Sequence, residues 1–370
     1  MNILVISSNY PSPTAPQRGT FVYKLVQQFA ETNNVVVISP QNYKLRNKKE
    51  TFYGDEKAMV YRPKKLSFSN KRIGKLNTFH WSSYSQSRAI KKAFQKIDFI
   101  PDVIYCHFII SAINYLQAFP DSKIPVYVAV GEYHNIDVVR SNYSETTYQN
   151  FLSKIKGFIA VSPLVQDKLV SLGVPGTKIL VAPNGTDLSK FKPRDKKELR
   201  DKYGLPLDKK ILLFVGRFIE NKGPLRVQEA LNSLDDDVVA IFIGKGVQQP
   251  SHPKIIFSGS VEHHIVADYM ALADVFVLPT LHEGSSNVII EAMASGLPIV
   301  SSDIPEIRVQ CNDNYSILVN PNSVDEIAEA LNKVLRNDDL RIKMSKEAFE
   351  ASKQFDLKQR AKGILQFIKP

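Results

Sequence analysis

Cysteine is scarce in this 370-residue chain: Cys106 and Cys311 are the only two, and they lie far apart without metal-ligand spacing. That removes a disulfide framework and a zinc module from consideration and suits a reducing cytoplasm. No apolar run approaches the roughly 20 residues needed to cross a bilayer. The opening segment, "MNILVISSNY", carries no basic leader and no cleavage site; it reads as a strand, and export is not expected. No internal repeat or low-complexity tract is evident. Recognition-helix, RNP and zinc-finger patterns are also missing, which argues against nucleic acid as a partner.

What is present is a mixed composition, 44% hydrophobic and 23% charged, in a chain long enough for two cores. Its formal charge of +11 is unevenly placed. Between Lys44 and Lys96 stand 15 Lys and Arg against three acids, and residues 1–175 hold 22 basic and 11 acidic side chains, the whole surplus. A basic face suits an anionic lipid surface, a phosphorylated ligand or plain solubility. Near an anionic membrane each cation contributes about 1 kcal/mol, so a handful on one face would hold a protein there.

Short apolar runs alternate with helical spacing along the chain. "NILVISS", a Pro-rich loop, "TFVYKLVQQFAE" with Phe21, Leu25 and Phe29 at helical intervals, and "NVVVISP" make a βαβ unit with its implied parallel sheet. "DVIYCHF", "PVYVAV" and "GFIAVS" are further strands. "SPLVQDKLVSLG" reads as a helix begun by Ser162 and Pro163 and ended by Gly173. A second series begins near residue 210 with "KILLFVGRF" and runs through "VVAIFIGKG", "KIIFSGS", "DVFVLPT" and "LPIVSSD", with helices between. Two such series predict two doubly wound α/β domains, 1–185 and 186–354, with "NGTDLSKFKPRD" as the linker candidate. The segment 44–96 is expected to be helical with long loops.

Open parallel sheets place ligands beyond the carboxyl ends of their strands, so the polar residues there are the candidates. Arg217 and Lys222 flank a strand-to-helix loop, where a planar fork and a point charge can converge on a diphosphate. Gly216 and Gly244 each end a strand and join them as donor-binding candidates. "HEGSSNVIIEAMASGLPIV" follows a strand and carries Glu283 and Glu291, eight positions apart, in an otherwise apolar or small-residue context. Gly284 allows close backbone approach, and Ser285, Ser286 and Asn287 are credible helix N-caps. Carboxylates repel a diphosphate, so Glu283 and Glu291 would meet hydroxyl-bearing parts of a ligand. In the first βα loop Gly19 stands alone, without G-x-G-x-x-G, so a dinucleotide site is not supported there. It could admit a diphosphate or only serve a tight turn.

"VGRFIENKG", "PNGTDLSKF", "ADVFVLPTLHEGSSNVIIEAMASGLPIVSSD" and "AVSPLVQDKLVSLGVP" resemble the GT4-type retaining glycosyltransferases of GT-B fold, over nearly the whole chain and most strongly from about 157 to 305. The resemblance implies two Rossmann-like domains facing each other across a cleft, with residues 355–370 packing back on the first, acceptor-binding domain. Carried over, Arg217 and Lys222 hold the donor diphosphate, Glu283 and the amides of Gly284 to Asn287 contact the transferred sugar, Glu291 takes ribose hydroxyls, and Gly19 approaches the diphosphate. The implied donor is a UDP- or GDP-linked sugar, with no metal and no other cofactor. The implied acceptor is a saccharide or lipid-linked saccharide of surface polysaccharide synthesis, met in the cytoplasm or on the inner membrane face through the basic 44–96 region. Many relatives have a His after the strand matching "PVYVAV"; here the chain reads "GEYHN", leaving Glu132 and His134 as candidate bases, while His107 matches a different His of the family. Without a placed nucleophile, front-face transfer is the expected route. Two other readings stay open: a nucleotide-sugar epimerase of the same fold, and a non-catalytic basic protein binding membranes or polyanions, which would have no need of Arg217, Lys222, Glu283 and Glu291 together.

Overall fold

The computed structural model describes residues 1–13, 15–16, 18–43, 57–68, 72–73, 76–131 and 133–369. These fall into two compact units, Met1–Pro183 with Lys358–Pro370, and Asn184–Leu357. Sequence places the boundary two residues later, at 185/186.

The first unit opens with β1 (Asn2–Ile6), α1 (Thr20–Phe29) and β2 (Asn34–Ile38), followed by the short β3 (Gln41–Asn42), β4 (Met59–Tyr61), β5 (Lys64–Lys65), β6 (Arg72–Ile73) and β7 (Leu76–Asn77). Then come α2 (Thr78–Phe94), β8 (Val103–His107), α3 (Ile109–Ala118), β9 (Val126–Val130), α4 (Tyr133–Arg140), α5 (Glu145–Ser153), β10 (Gly157–Ala160), α6 (Pro163–Ser171) and β11 (Ile179–Val181). Seven strands form a parallel sheet in the order β11-β10-β9-β8-β1-β2-β4. Its central strands are Val- and Ile-rich and buried throughout, as a sheet covered on both faces requires. α1 turns Val22, Leu25, Val26 and Phe29 inward. Phe21, expected on that stripe, instead sits edge-on to His107 at 5.3 Å. Ser162 caps α6 by accepting the Val165 amide at 3.3 Å, with Pro163 behind it, and Gly173 follows at φ +84°. Within 44–96, residues 44–56, 69–71 and 74–75 lie outside the described residues; the described remainder holds short strands, the connections between them and one long helix, α2, rather than helix throughout.

The second unit contains α7 (Lys196–Tyr203), β12 (Lys210–Val215), α8 (Pro224–Ala230), β13 (Val238–Ile243), β14 (Ile255–Gly259), α9 (His263–Leu272), β15 (Val275–Leu278), α10 (Asn287–Ala294), β16 (Ile299–Ser302), α11 (Pro305–Arg308), β17 (Ser316–Val319), α12 (Val324–Leu335) and α13 (Asp338–Ser352). Its parallel sheet runs β14-β13-β12-β15-β16-β17. The final helix, α14 (Leu357–Phe367), has all but its first residue in the first unit, where Arg360 and Ile364 are buried and Phe367 meets Tyr127 edge-on at 5.7 Å.

The expected linker is built into the second unit. Phe191 is buried, Thr186 accepts the Leu357 amide at 3.0 Å, and Arg194 pairs with Asp268 at 2.6 Å. Its turn and charges made it the linker candidate; the partners of Thr186 and Arg194 lie more than 70 residues away and were invisible locally. Among the described residues no helix is long and apolar enough to cross a membrane.

Candidate donor site

In the second sheet β12 and β15 are neighbours, yet the chain leaves them toward opposite sheet edges, to β13 and to β16. Loops beyond the carboxyl ends of such a strand pair diverge and leave a crevice. After β12 come Gly216 and Arg217, then a 3₁₀ turn, Glu220–Lys222, that leads into α8. After β15 comes the loop from Pro279 to Ser286, then α10.

The two loops meet through Lys222 and Glu283. Lys222 Nζ forms an ion pair with Glu283 Oε1, both side chains being 14% exposed, and lies 3.5 Å from Thr280 Oγ1. Arg217 is exposed, and its guanidinium has no hydrogen-bond or ion-pair partner among the described residues. The site therefore presents one cation already matched by a carboxylate and one that is not. Glu291 sits in α10, 7% exposed. Ser286 occupies the N-cap position but makes no side-chain cap bond. Its amide instead donates to Gln310 Oε1 at 2.7 Å. Asn287 Oδ1 is buried and has no hydrogen-bond partner among the described residues, a buried acceptor that a hydroxyl-bearing ligand would satisfy.

Several residues that sequence reasoning did not single out shape this loop. Thr280, fully buried, donates its hydroxyl toward the Asn221 and His282 carbonyls, each at 3.1 Å, and Asn221 Nδ2 reaches the same His282 carbonyl. Ser302 donates to the Thr280 carbonyl at 2.6 Å. Asn184 Nδ2 donates to Ser285 O at 3.2 Å, and Gln310 Nε2 to Ser285 Oγ at 3.3 Å. Asn184 carried a faint signal, standing in "PNGT"; Gln310, far along the chain, carried none.

Two candidate glycines have packing reasons of their own. A side chain at Gly244 would stand 1.8 Å from the Gly216 carbonyl oxygen, so these strand ends touch each other. Gly19 has φ +66°, and a Cβ there would meet Asn9 O at 2.1 Å. Gly284 and Ser285 lie half-buried in the loop.

In the first unit the corresponding break in strand order falls between β1 and β8. β8 ends at His107, which is 2% exposed; burial, and then the Arg360 charge, push its pKa down to about 3, so it is neutral. Phe108 follows at φ 73°, ψ 147°, and is the one non-glycine residue at positive φ among those described. That conformation costs about 1–3 kcal/mol in a non-glycine residue, and it falls directly after β8, at the strand-order break. Of the two candidate bases, Glu132 lies outside the described residues, and His134 is placed only by backbone, in α4. Among the described residues no three His, Cys, Asp or Glu side chains are grouped to share a metal ion.

The model of the glycosyl transferases group 1 family matches residues 195–351, and that of glycosyltransferase family 4 matches 19–190. A Bacillus subtilis glycosyltransferase assigned to teichuronic acid biosynthesis, TuaC, is 30% identical over 98% of this chain and 97% of its own. The N,N'-diacetylbacillosaminyl-diphospho-undecaprenol alpha-1,3-N-acetylgalactosaminyltransferase of Campylobacter jejuni is 30% identical over 54% of this chain and 56% of its own. Among solved structures, a sucrose-phosphate synthase from Thermosynechococcus elongatus superposes with a TM-score of 0.78 at 19% identity, covering 99% of this chain and 98% of that one. At that identity the likeness concerns the fold.

Proposed function

This chain belongs to the group 1 glycosyltransferases, family GT4 of the GT-B fold, and from that premise we propose that it moves a sugar from a nucleoside-diphosphate donor to a saccharide or lipid-linked saccharide acceptor. The observation that carries the reading is the Lys222–Glu283 pair, set at the strand-order break beside the start of α10 with the unpartnered Arg217 nearby in sequence. Lys222 and Arg217 take the donor diphosphate, Glu283 and the backbone of Gly284 to Asn287 take the transferred sugar, and Glu291 takes ribose hydroxyls. Charge-assisted bonds of about 1.5–3 kcal/mol each outweigh the roughly 0.3–1 kcal/mol of a helix dipole, so the two cations dominate phosphate binding.

In the reaction the bond between the sugar C1 and the diphosphate oxygen breaks and a bond from C1 to the acceptor oxygen forms on the same face. The acceptor proton passes to the departing phosphate oxygen. Lys222 and Arg217 stabilise the charge that grows on that phosphate, which is where fixed cations lower a barrier most. The step retains configuration and draws on no metal. As the donor enters, phosphate replaces Glu283 on Lys222, and the freed carboxylate turns to the sugar. The teichuronic acid biosynthesis named for one relative and the undecaprenol-linked saccharide named for the other support an acceptor of surface polysaccharide synthesis, met in the cytoplasm at the inner membrane face.

A thermal-shift panel of UDP-, GDP- and ADP-sugars tests the donor assignment, with stabilisation expected for one nucleotide class; no shift with any of them counts against it. NMR of the product anomer tests the stereochemistry, and an inverted product would exclude front-face transfer.

A further inference from the structure

From Lys57 to Lys96 the sequence carries eleven Lys and Arg and no Asp or Glu, a surplus equal to the +11 of the entire chain. The structure organises part of this stretch into one face. The outer stripe of α2 is Trp81, Tyr84, Arg88, Lys91 and Lys92, at helical three- and four-residue intervals, with Trp81 49% and Tyr84 63% exposed. Its inner side is pinned: Ser83 donates to Asn114 and Gln117, Ser87 donates to Gln117, and Ile90 and Ala93 are buried. Alongside lies the strap 64–68. The Leu66 amide donates to Ser85 Oγ at 2.8 Å, the Phe68 amide to Ser82 Oγ at 2.9 Å, and Lys65 Nζ to Gln86 at 2.7 Å. With the backbone held by those serines, Leu66 and Phe68 face outward, 55% and 40% exposed. Phe68 meets Trp81 edge-on at 5.7 Å, and Arg88 stands 5.9 Å over the Tyr84 ring. Tyr84, Arg88 and Lys91 line both of two hollows, of about 770 and 560 Å³, and among the described residues no carboxylate lines either.

We propose that this face docks the protein on an anionic lipid bilayer, with Leu66, Phe68, Trp81 and Tyr84 entering the headgroup zone and Arg88, Lys91 and Lys92 meeting lipid phosphates. It rests on the reading of a membrane-borne acceptor and supplies the surface that reading lacks. Single exposed hydrophobes are ordinary, but four together, rimmed by cations, mark an interaction site. Aromatic side chains with one apolar body and one polar edge belong at a membrane–water interface, and cations beside them gain from anionic lipid. A soluble polyanion would satisfy the cations and leave Leu66 and Phe68 in water.

Trp81 is the chain's only tryptophan, so its emission reports this face alone. The full chain is titrated with vesicles of phosphatidylcholine, and of phosphatidylcholine mixed with phosphatidylglycerol, each with and without brominated acyl chains. A blue shift and bromine quenching are expected with the mixed vesicles only. R88Q/K91Q/K92Q should weaken binding on the order of a hundredfold, roughly fivefold per cation, and L66S/F68S should reduce quenching, both with nucleotide-sugar thermal shifts unchanged. No emission change with the mixed vesicles, equal binding by the glutamine variant, or a response to dextran sulfate without one to vesicles would each overturn the docking face. Vesicle binding without any nucleotide-sugar shift would leave the docking face standing and remove the transferase donor reading instead.

Discussion

Lys222 and Glu283 hold each other, and the mutual neutralisation sets opposite expectations for two substitutions. Lys222→Ala removes a charge-assisted phosphate bond and should weaken nucleoside-diphosphate binding about tenfold or more by calorimetry. Glu283→Gln removes the carboxylate that competes with phosphate for Lys222, so binding of the free nucleoside diphosphate should be kept or strengthened while sugar transfer collapses. Equal loss of both in the Glu283 variant would show that the carboxylate positions the lysine and has no part with the sugar. Gln310 acts one step back: Gln310→Leu strands the buried Ser286 amide, a loss of about 1–3 kcal/mol readable in thermal unfolding, with donor affinity falling because the 284–287 backbone loses its clamp. Glu283, Glu291, Arg217 and Lys222 stood out as candidates because charge in an apolar or small-residue context is conspicuous. Gln310 did not, because an uncharged residue that acts through one backbone bond has no local signature.

Helices and strands were legible where one period and one cap sufficed. α6 is the clean case, with Ser162, Pro163 and Gly173 all in their expected roles. α10 is less so: three small polar residues offered themselves as caps, and the amide of Ser286 goes to a distant glutamine. At the end of β8, the buried His107 gives an element-scale prediction. Its ordinary pKa is 6.5 and its folded value about 3, so between those values the unfolded chain takes up a proton that the folded chain refuses. Stability therefore falls as pH drops through that window and is insensitive to His107 above it. One unit below 6.5 the penalty is about 1.4 kcal/mol, and His107→Gln should flatten that part of a melting-temperature profile. A variant profile as steep as the parent's would place His107 in contact with water.

At the scale of the whole molecule, the second unit is fastened by ion pairs that join its first helix to its sheet. Asp274 accepts from Arg200 at 2.7 Å, Lys196 at 3.0 Å and the Ile211 amide at 2.8 Å, with Arg200 and Asp274 side chains only 8% and 9% exposed. Asp274→Ala leaves a buried guanidinium without its counter-charge and should cost about 3–5 kcal/mol in denaturant unfolding, whereas replacing Arg200 by Met in the same chain should recover much of it. These contacts explain why a stretch composed like a tether is part of a folded unit. By itself the sequence determined two parallel α/β sheets, the strand ends that carry polar residues, and a basic first half, because hydrophobic period, turn chemistry and charge are properties of neighbours along the chain. Tertiary structure alone decided that Lys222 meets Glu283, that Gln310 holds the α10 amide, that His107 is a neutral core residue, and that Leu66 and Phe68 stand outward beside Trp81. Each of these depends on groups brought together from distant positions, and the energy of a contact does not appear in the spacing of the residues that make it.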